Sequence, residues 1–153
     1  MKSSADTLHV GATASLTGPY SIQGRYMQDG YELFCKKLNA QGGVRGRQVK
    51  LTTYDDRSDP LGCAALYERL ICEDEVDVLL GPYGSSLTEA AADVTEKYGK
   101  VMLAATAGVS SIWEKGRRFI FMVLAPSRPQ RRACSVLPRT TDFAAWRSFM
   151  TTQ

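Results

Sequence analysis

The fold class is indicated most clearly by Val76-Asp77-Val78-Leu79-Leu80-Gly81-Pro82-Tyr83-Gly84-Ser85-Ser86, an apolar run that passes through a glycine-rich turn into a helical pattern. Short apolar runs bounded by turn residues are typical of central strands in a parallel sheet that is covered on both faces. The same strand–turn–helix order recurs along the chain with short connections. The sequence therefore predicts a three-layer α/β sandwich with a mainly parallel five-stranded sheet and helices on both faces.

Five strands and three long helices follow from the apolar periodicity. The strands are predicted at Leu8–Ala14, Gln48–Tyr54, Val76–Leu80, Val101–Ala104 and Phe119–Leu124. The helices are predicted at Gln23–Ala40, from Pro60 to about Glu73, and at Ser86–Tyr98, with a short helical turn near Ser111–Lys115. In the first helix, apolar positions that step by three and four predict one buried stripe of Met27, Tyr31, Phe34, Cys35 and Leu38. The third and fourth strands are predicted to be fully covered.

Length and composition indicate one globular domain of 153 residues, in which 44% are hydrophobic and 23% are charged. No stretch approaches the roughly 18 uninterrupted apolar residues of a membrane helix. The formal charge is only +3, which does not favour a nucleic-acid-binding protein. Residues 1–7 are predicted to be an N-terminal extension without the apolar core of a signal peptide. Either a signal has been removed and replaced by a start Met, or the chain stays inside the cell and would be cytoplasmic if expressed as given.

The composition and the apolar periodicity of the sequence change after the fifth strand. The domain is predicted to span residues 8–126, and residues 127–153 to form a basic tail that carries five arginines but no clear period. One interpretation is a loosely packed tail, which could also touch nucleic acid. We favour the other interpretation, a truncation or a change of reading frame.

The cysteines and the single histidine, His9, argue against a metal or catalytic centre. Cys63 and Cys72 lie nine residues apart in one predicted helix and so on opposite faces, which excludes a bridge between them. We predict that all four cysteines, which also include Cys35 and Cys134, are buried free thiols. A metal site would need clustered cysteines and histidines, so neither a metal nor a cofactor is expected.

Enzyme signatures are also lacking. The chain has no nucleophile elbow, no phosphate-binding loop and no dinucleotide fingerprint. An enzyme of flavodoxin-like fold with a bound cofactor therefore ranks below the two binding functions considered below. The clustered carboxylates of Asp55, Asp56 and Asp59 could bind a cation. We favour the interpretation that they form a turn and that Asp59 caps the helix beginning at Pro60.

Three loops rich in glycine and small hydroxyl residues follow predicted strands, at residues 15–23, 81–86 and 105–110. Ligands of open α/β sheets bind beyond the carboxyl ends of the strands. Ser85 or Ser86 at a helix start could seat a carboxylate, although a serine there could equally cap the helix. The loop around Thr106 offers carbonyls for an ammonium group, or is an ordinary surface turn.

Four stretches in the family's own order resemble type I periplasmic solute-binding proteins of the branched-chain amino-acid branch. They lie at residues 10–19, 38–47, 54–60 and 81–86, and the similarity extends from about Leu8 to Leu124. The resemblance implies one lobe with sheet order 2-1-3-4-5 and a ligand held between two lobes. The chain departs from the family's pattern in two ways. Ser58 and Gly84 replace cysteines that some members pair in a disulfide, and nothing after Leu124 resembles a second lobe.

Carried over by position, the family's ligand contacts fall on the three loops. Ser85 would bind the ligand α-carboxylate, with help from the backbone at Tyr83 and Gly84. Thr106, with the backbone at Ala105 and Ala107, would meet both the α-carboxylate and the α-ammonium. Gln23 would form a wall of the pocket, with Tyr20 nearby. The contacts of the second lobe are missing, so we expect this chain alone to bind an amino acid weakly.

The resemblance implies a passive binder and not an enzyme. We expect the substrate-binding component of an ABC-type uptake system for an amino acid or amide, located in the periplasm or outside the cell. Its expected partner is a membrane permease, and a homodimer is a further expectation. The alternative is a ligand-sensing regulatory domain of the same fold.

Overall fold

The chain folds around a five-stranded parallel sheet in the order β2-β1-β3-β4-β5. The computed structural model describes residues 7–124. Its elements are β1 (Thr7–Ala14), α1 (Ser21–Ala40), β2 (Gln48–Asp55), α2 (Pro60–Cys72), β3 (Val78–Leu80), α3 (Ser85–Tyr98), β4 (Met102–Ala104), α4 (Ser110–Trp113) and β5 (Ile120–Met122). The predicted fold class and strand order are confirmed, and every strand and helix lies within two residues of its predicted bounds.

Alternation along the strands separates two cores, one on each face of the sheet. Leu79 packs with Met102 in the larger core, whereas its neighbours Val78 and Leu80 pack in the smaller one. Successive strand residues point to opposite faces, so the two cores lie on opposite sides. Helices α2 and α3 pack against each other over the larger core, and α1 lies over β1 and β2 on the other face. These are the three predicted layers.

Helix α1 buries a narrower stripe than predicted. Cys35 is buried, and Met27, Tyr31 and Leu38 are half-buried, but 61% of Phe34 is exposed. The prediction for Phe34 is wrong because α1 meets the sheet mainly along β1 and β2. A single row of helix positions is therefore covered, and Phe34 lies about 100° around the helix from Cys35.

The expectation that β4 is fully covered is wrong on one face. Met102 and Ala104 are buried against the larger core, whereas Leu103 between them is 38% exposed. Phe121, its register partner on β5, is 50% exposed. The reason is again the position of α1, because within residues 7–124 no helix lies over β4 and β5 on that face.

The cysteines divide into two buried thiols and one exposed thiol. Cys35 and Cys63 are free and buried, and burial raises the pKa of Cys63 to about 12. The buried-thiol prediction is wrong for Cys72, which is exposed because it ends α2 on the face turned away from Cys63. Cys134 lies outside the described residues. At the other end of α2, the carboxylate of Asp59 accepts the backbone N–H of Gly62 at 2.8 Å, which confirms the predicted cap.

The first turn of α1 is pressed against the end of β1. Gly24 is buried, and a Cβ placed on it would lie 2.1 Å from the carbonyl oxygen of Ser15. Only glycine allows this approach, which fixes where the chain leaves β1 and enters the helix. Gly30, in the middle of the same helix, has open space where its Cβ would be.

These two glycines should respond to alanine in opposite ways. Gly24→Ala would force α1 away from Ser15 and should lower the free energy of unfolding by about 2–3 kcal/mol. Gly30→Ala should raise it by about 1 kcal/mol, since alanine is the better helix former and meets no neighbour. Urea denaturation followed by circular dichroism measures both. A neutral Gly24→Ala would contradict this close packing.

Two leucines on neighbouring strands provide a second test. Leu79 is fully buried and Leu103 is not, so Leu79→Ala should cost about 2–5 kcal/mol of unfolding free energy. Leu103→Ala should cost about 1 kcal/mol. Equal losses in urea denaturation would mean that the exposed face of β4 is covered in solution.

Candidate functional site

The loops that follow β1, β3 and β4 touch one another at the carboxyl-terminal edge of the sheet. The rings of Tyr20 and Tyr83 have centroids 5.6 Å apart at an interplanar angle of 60°, and so join the first loop to the second. The hydroxyl of Thr106 joins the second loop to the third. It accepts the backbone N–H of Gly84 at 3.2 Å and donates to the carbonyl oxygen of Pro82 at 3.0 Å. This edge is where open α/β sheets bind ligands.

Helix α3 begins at Ser85 without a side-chain cap. Its N-cap residue is Gly84, with φ 84° and ψ 163°, a conformation that favours glycine. The alternative that a serine caps this helix is therefore wrong. The hydroxyl of Ser85 is half-buried and has no hydrogen-bond partner among residues 7–124. The positive end of the helix dipole and an unpaired hydroxyl thus meet at one point, which suits an anion.

Two threonines stabilise the conformation of the β3–α3 loop by hydrogen bonds to its backbone. The fully buried Thr88 donates its hydroxyl to the carbonyl oxygen of Gly84 at 2.7 Å, and Thr106 bonds both Pro82 and Gly84. A hydroxyl has one donor and two acceptor positions. Thr106 has used its donor and one acceptor, so one acceptor position is left. In this arrangement its side chain can receive an N–H from a ligand but cannot donate to a carboxylate.

The remaining predicted site residues are Gln23, Ala105 and Ala107, and among the described residues none of their side chains forms a hydrogen bond between the loops. Gln23 is exposed in the first turn of α1, and no hydrogen bond in the described part of the chain ties it to the other loops. Ala105 is half-buried, and the side chain of Ala107 is fully buried in the larger core. Ala107 can therefore reach a ligand only through its backbone.

A shallow cavity of about 300 Å³ adjoins the start of α3, which the sequence did not predict. It is lined by Ser85, Ser86, Glu89, Val109, Ser111, Ile112 and Lys115. The only carboxylate of this lining is already paired, because Glu89 accepts hydrogen bonds from Arg117 and Lys115. The bond from Arg117 contributes most to lowering the pKa of Glu89. The negative charge beside Ser85 is thereby balanced by two cations.

Sequence reasoning missed the residues that hold the first loop. The carboxylate of Asp56 is only 2% exposed and accepts the hydroxyls of Thr13 at 2.8 Å and Ser15 at 2.6 Å. The hydroxyl of Ser58 accepts the backbone N–H of Tyr20 at 3.1 Å. The aspartates do form the predicted turn, but they also reach across to the neighbouring loop. The only signal was the adjacency of β1 and β2, which places the ends of these strands side by side.

His9 lies far from Ser85 in the fold. It occupies the first half of β1, where its ring lies 2.8 Å from the hydroxyl of Thr52, and burial is the main cause that lowers its pKa. Ser85 follows the opposite end of the strands, so no serine–histidine pair forms between them. Residues 7–124 contain no group of three or more histidine, cysteine or acidic side chains placed to hold a metal. Nor does any helix in this range have the length and apolar character needed to span a bilayer.

The sequence matches one protein family along most of its length. Residues 7–138 match the family described as periplasmic binding protein. The leucine-, isoleucine-, valine-, threonine-, and alanine-binding protein of Pseudomonas aeruginosa is 30% identical over 120 residues, which are 78% of this chain and 32% of that protein. The Leu/Ile/Val-binding protein of Escherichia coli is 27% identical over 116 residues, which are 76% and 31% of the two chains. The chain spans about a third of the length of these relatives.

Solved structures show the same likeness. The branched-chain amino acid transporter substrate binding protein LivJ of Streptococcus pneumoniae, in complex with isoleucine, superposes with a TM-score of 0.75 at 25% identity, over 78% of this chain and 34% of that one. A putative branched-chain amino acid ABC transporter from Rhodospirillum rubrum gives a TM-score of 0.77 at 26% identity, over 85% and 38%.

The family match continues past residue 126, which is the predicted end of the domain. Residues 127–153 lie outside the described part of the chain, and the predicted basic tail stays a prediction. The sequence match and the fold agree on the family, and the partial coverage of the relatives fits one lobe. The chain belongs to the periplasmic binding protein family, where its relatives are the branched-chain amino-acid-binding proteins, and it fits their N-terminal lobe.

Proposed function

We propose that this chain is the first ligand-binding lobe of the substrate-binding component of an ABC-type uptake system for amino acids or their amides. One observation carries the proposal. The hydroxyl of Ser85, which has no partner among residues 7–124, stands at the start of α3, next to the loop that Thr106 bonds. A donor site for an anion and an acceptor site for an N–H group therefore lie in adjacent loops, as a zwitterion requires.

The chemistry of each group assigns its part of the ligand. The α-carboxylate would accept hydrogen bonds from the Ser85 hydroxyl and from the backbone N–H groups at the start of α3. The α-ammonium would donate to the remaining acceptor position of Thr106 and to backbone carbonyls of residues 105–107. Tyr20 and Tyr83 would form the wall for the ligand's side chain, with Gln23 at its outer end.

The role in transport rests on the family. The named relatives bind leucine, isoleucine and valine, and LivJ is a transporter substrate binding protein. By analogy the complete protein would act outside the cytoplasmic membrane, pass its ligand to a membrane permease, and carry out no chemistry on it. The relatives named above lend no support to the alternative of a sensing domain. A homodimer stays a prediction.

Substitution of Ser85 tests the proposal. Ser85→Ala removes the hydroxyl and should weaken binding of leucine about tenfold, the loss expected for one hydrogen bond to a charged group. Ser85→Thr keeps the hydroxyl and should bind within about threefold of the wild-type protein. Affinity can be followed by titrating leucine, isoleucine and valine into ¹⁵N-labelled protein, since NMR shifts detect weak binding.

Two results would contradict the proposal. Wild-type protein that shows no shift at the loops 81–86 and 105–110 at any amino-acid concentration would exclude an amino-acid site here. Equal affinity of Ser85→Ala and wild-type protein would remove Ser85 from the site. Tight binding would instead overturn the expectation that one lobe holds its ligand weakly.

A further inference from the structure

We propose that Asp55 and Ser58 are positioning residues of the ligand site, and that they set its preference for large side chains by holding Tyr20 against Tyr83. This inference rests on the proposed function, because it concerns the wall of the same pocket. Neither residue need touch the ligand. Together with Asp56, they form what we call the loop clamp, which joins the β2–α2 turn to the β1–α1 loop.

Asp55 holds the start of the β1–α1 loop. One oxygen of its carboxylate accepts the backbone N–H groups of Leu16 at 2.9 Å and Thr17 at 3.3 Å, and the other accepts the hydroxyl of Thr17 at 2.8 Å. It also accepts the N–H of Arg57 at 2.9 Å within its own turn. Burial acts to raise the pKa of Asp55, but the bonds from Arg57, Thr17 and Leu16 outweigh it and the pKa is lowered. The loop therefore binds the charged form of Asp55.

Ser58 holds the end of the same loop. Its hydroxyl oxygen accepts the backbone N–H of Tyr20 at 3.1 Å, and its hydroxyl donates to the carbonyl oxygen of Thr17 at 3.0 Å. Ser58 thus bonds both sides of the bend at Gly18. A Cβ on Gly18 would lie 2.8 Å from the Ser58 hydroxyl oxygen, so the loop and the turn are in close contact.

The turn that carries Ser58 has an unusual backbone. Arg57 and Ser58 both have positive φ, 54° and 60°, a conformation that residues other than glycine rarely adopt. Asp55 and Asp56 maintain it by accepting the N–H groups of Arg57 and Ser58, both at 2.9 Å. Strain of this kind persists only where the surroundings hold it, and it is concentrated at functional sites. Here it brings the Ser58 hydroxyl to the backbone of Tyr20.

The loop clamp affects the pocket through the position of the Tyr20 ring. Its backbone is tied to Ser58, and its ring meets Tyr83 edge to face. Tyr83 stands two residues before Ser85, which would hold the carboxylate. The clamp therefore sets how far the aromatic wall stands from the groups that bind the α-carboxylate and α-ammonium. Ligands that share those groups but differ in side chain should respond differently when the clamp is loosened.

The test compares leucine with alanine as probes, by NMR titration of the whole chain. Ser58→Gly removes the hydroxyl and also relieves the positive φ, so the turn itself should still form. We expect the preference for leucine over alanine to fall about three- to tenfold, as for one lost hydrogen bond, with the affinity for alanine nearly unchanged. Asp55→Asn, which keeps the shape but loses the charge, should lower the same ratio. Tyr20→Ala serves as the reference for complete loss of the Tyr20 part of the wall.

The possible outcomes separate this inference from the function beneath it. If Ser58→Gly and Asp55→Asn keep the wild-type ratio, or lose leucine and alanine equally, the clamp is merely structural and the inference is overturned while the proposed function stands. If Tyr20→Ala keeps the ratio, the wall is misassigned and the inference fails likewise. If wild-type protein binds neither amino acid, the proposed function fails and the inference with it.

Discussion

Because all five strands run in the same direction, their carboxyl ends meet at one edge of the sheet, and the loops that leave them must share that edge. Parallel pairing thus does more than build a core in this protein. It brings three segments that are far apart in sequence into contact, as the bonds of Thr106 to Pro82 and Gly84 and the ring contact of Tyr20 with Tyr83 demonstrate. The candidate site depends on that shared edge, since the hydroxyls of Ser85 and Thr106 come from different loops.

Buried polar groups hold the β1–α1 loop to the β2–α2 turn. Asp56 is almost completely buried, yet it is paired with two hydroxyls and a backbone N–H, so its burial does not leave an unsatisfied charge. Such groups hold a loop in one arrangement, because each alternative would leave a polar atom unpaired in the interior. A binding loop that is exposed but defined in shape is the expected result. Ser58 and Gly84 are each held by hydrogen bonds to a neighbouring loop.

The two faces of the sheet are covered unequally within residues 7–124. On one face, α2 and α3 cover Leu79 and Met102 completely, while on the other α1 packs mainly against β1 and β2. The errors for Phe34 and Leu103 have this one origin. A periodic pattern tells which residues of an element are apolar, but the extent of cover depends on where a neighbouring helix lies, and that is set by distant parts of the chain.

The elements, their type and the Asp59 cap could be predicted from the residues alone, and the likeness to a family added the strand order. These depend on local backbone preferences and on apolar periodicity, which a short window of residues contains. The three-dimensional fold was needed to show that a glycine and not a serine caps α3, that Thr106 donates to Pro82, and that Asp55, Asp56 and Ser58 hold the loop of Tyr20. The last two depend on contacts between residues separated by 24 to 43 positions, and a hydrogen bond has an energy only when its two partners have been brought to within about 3 Å.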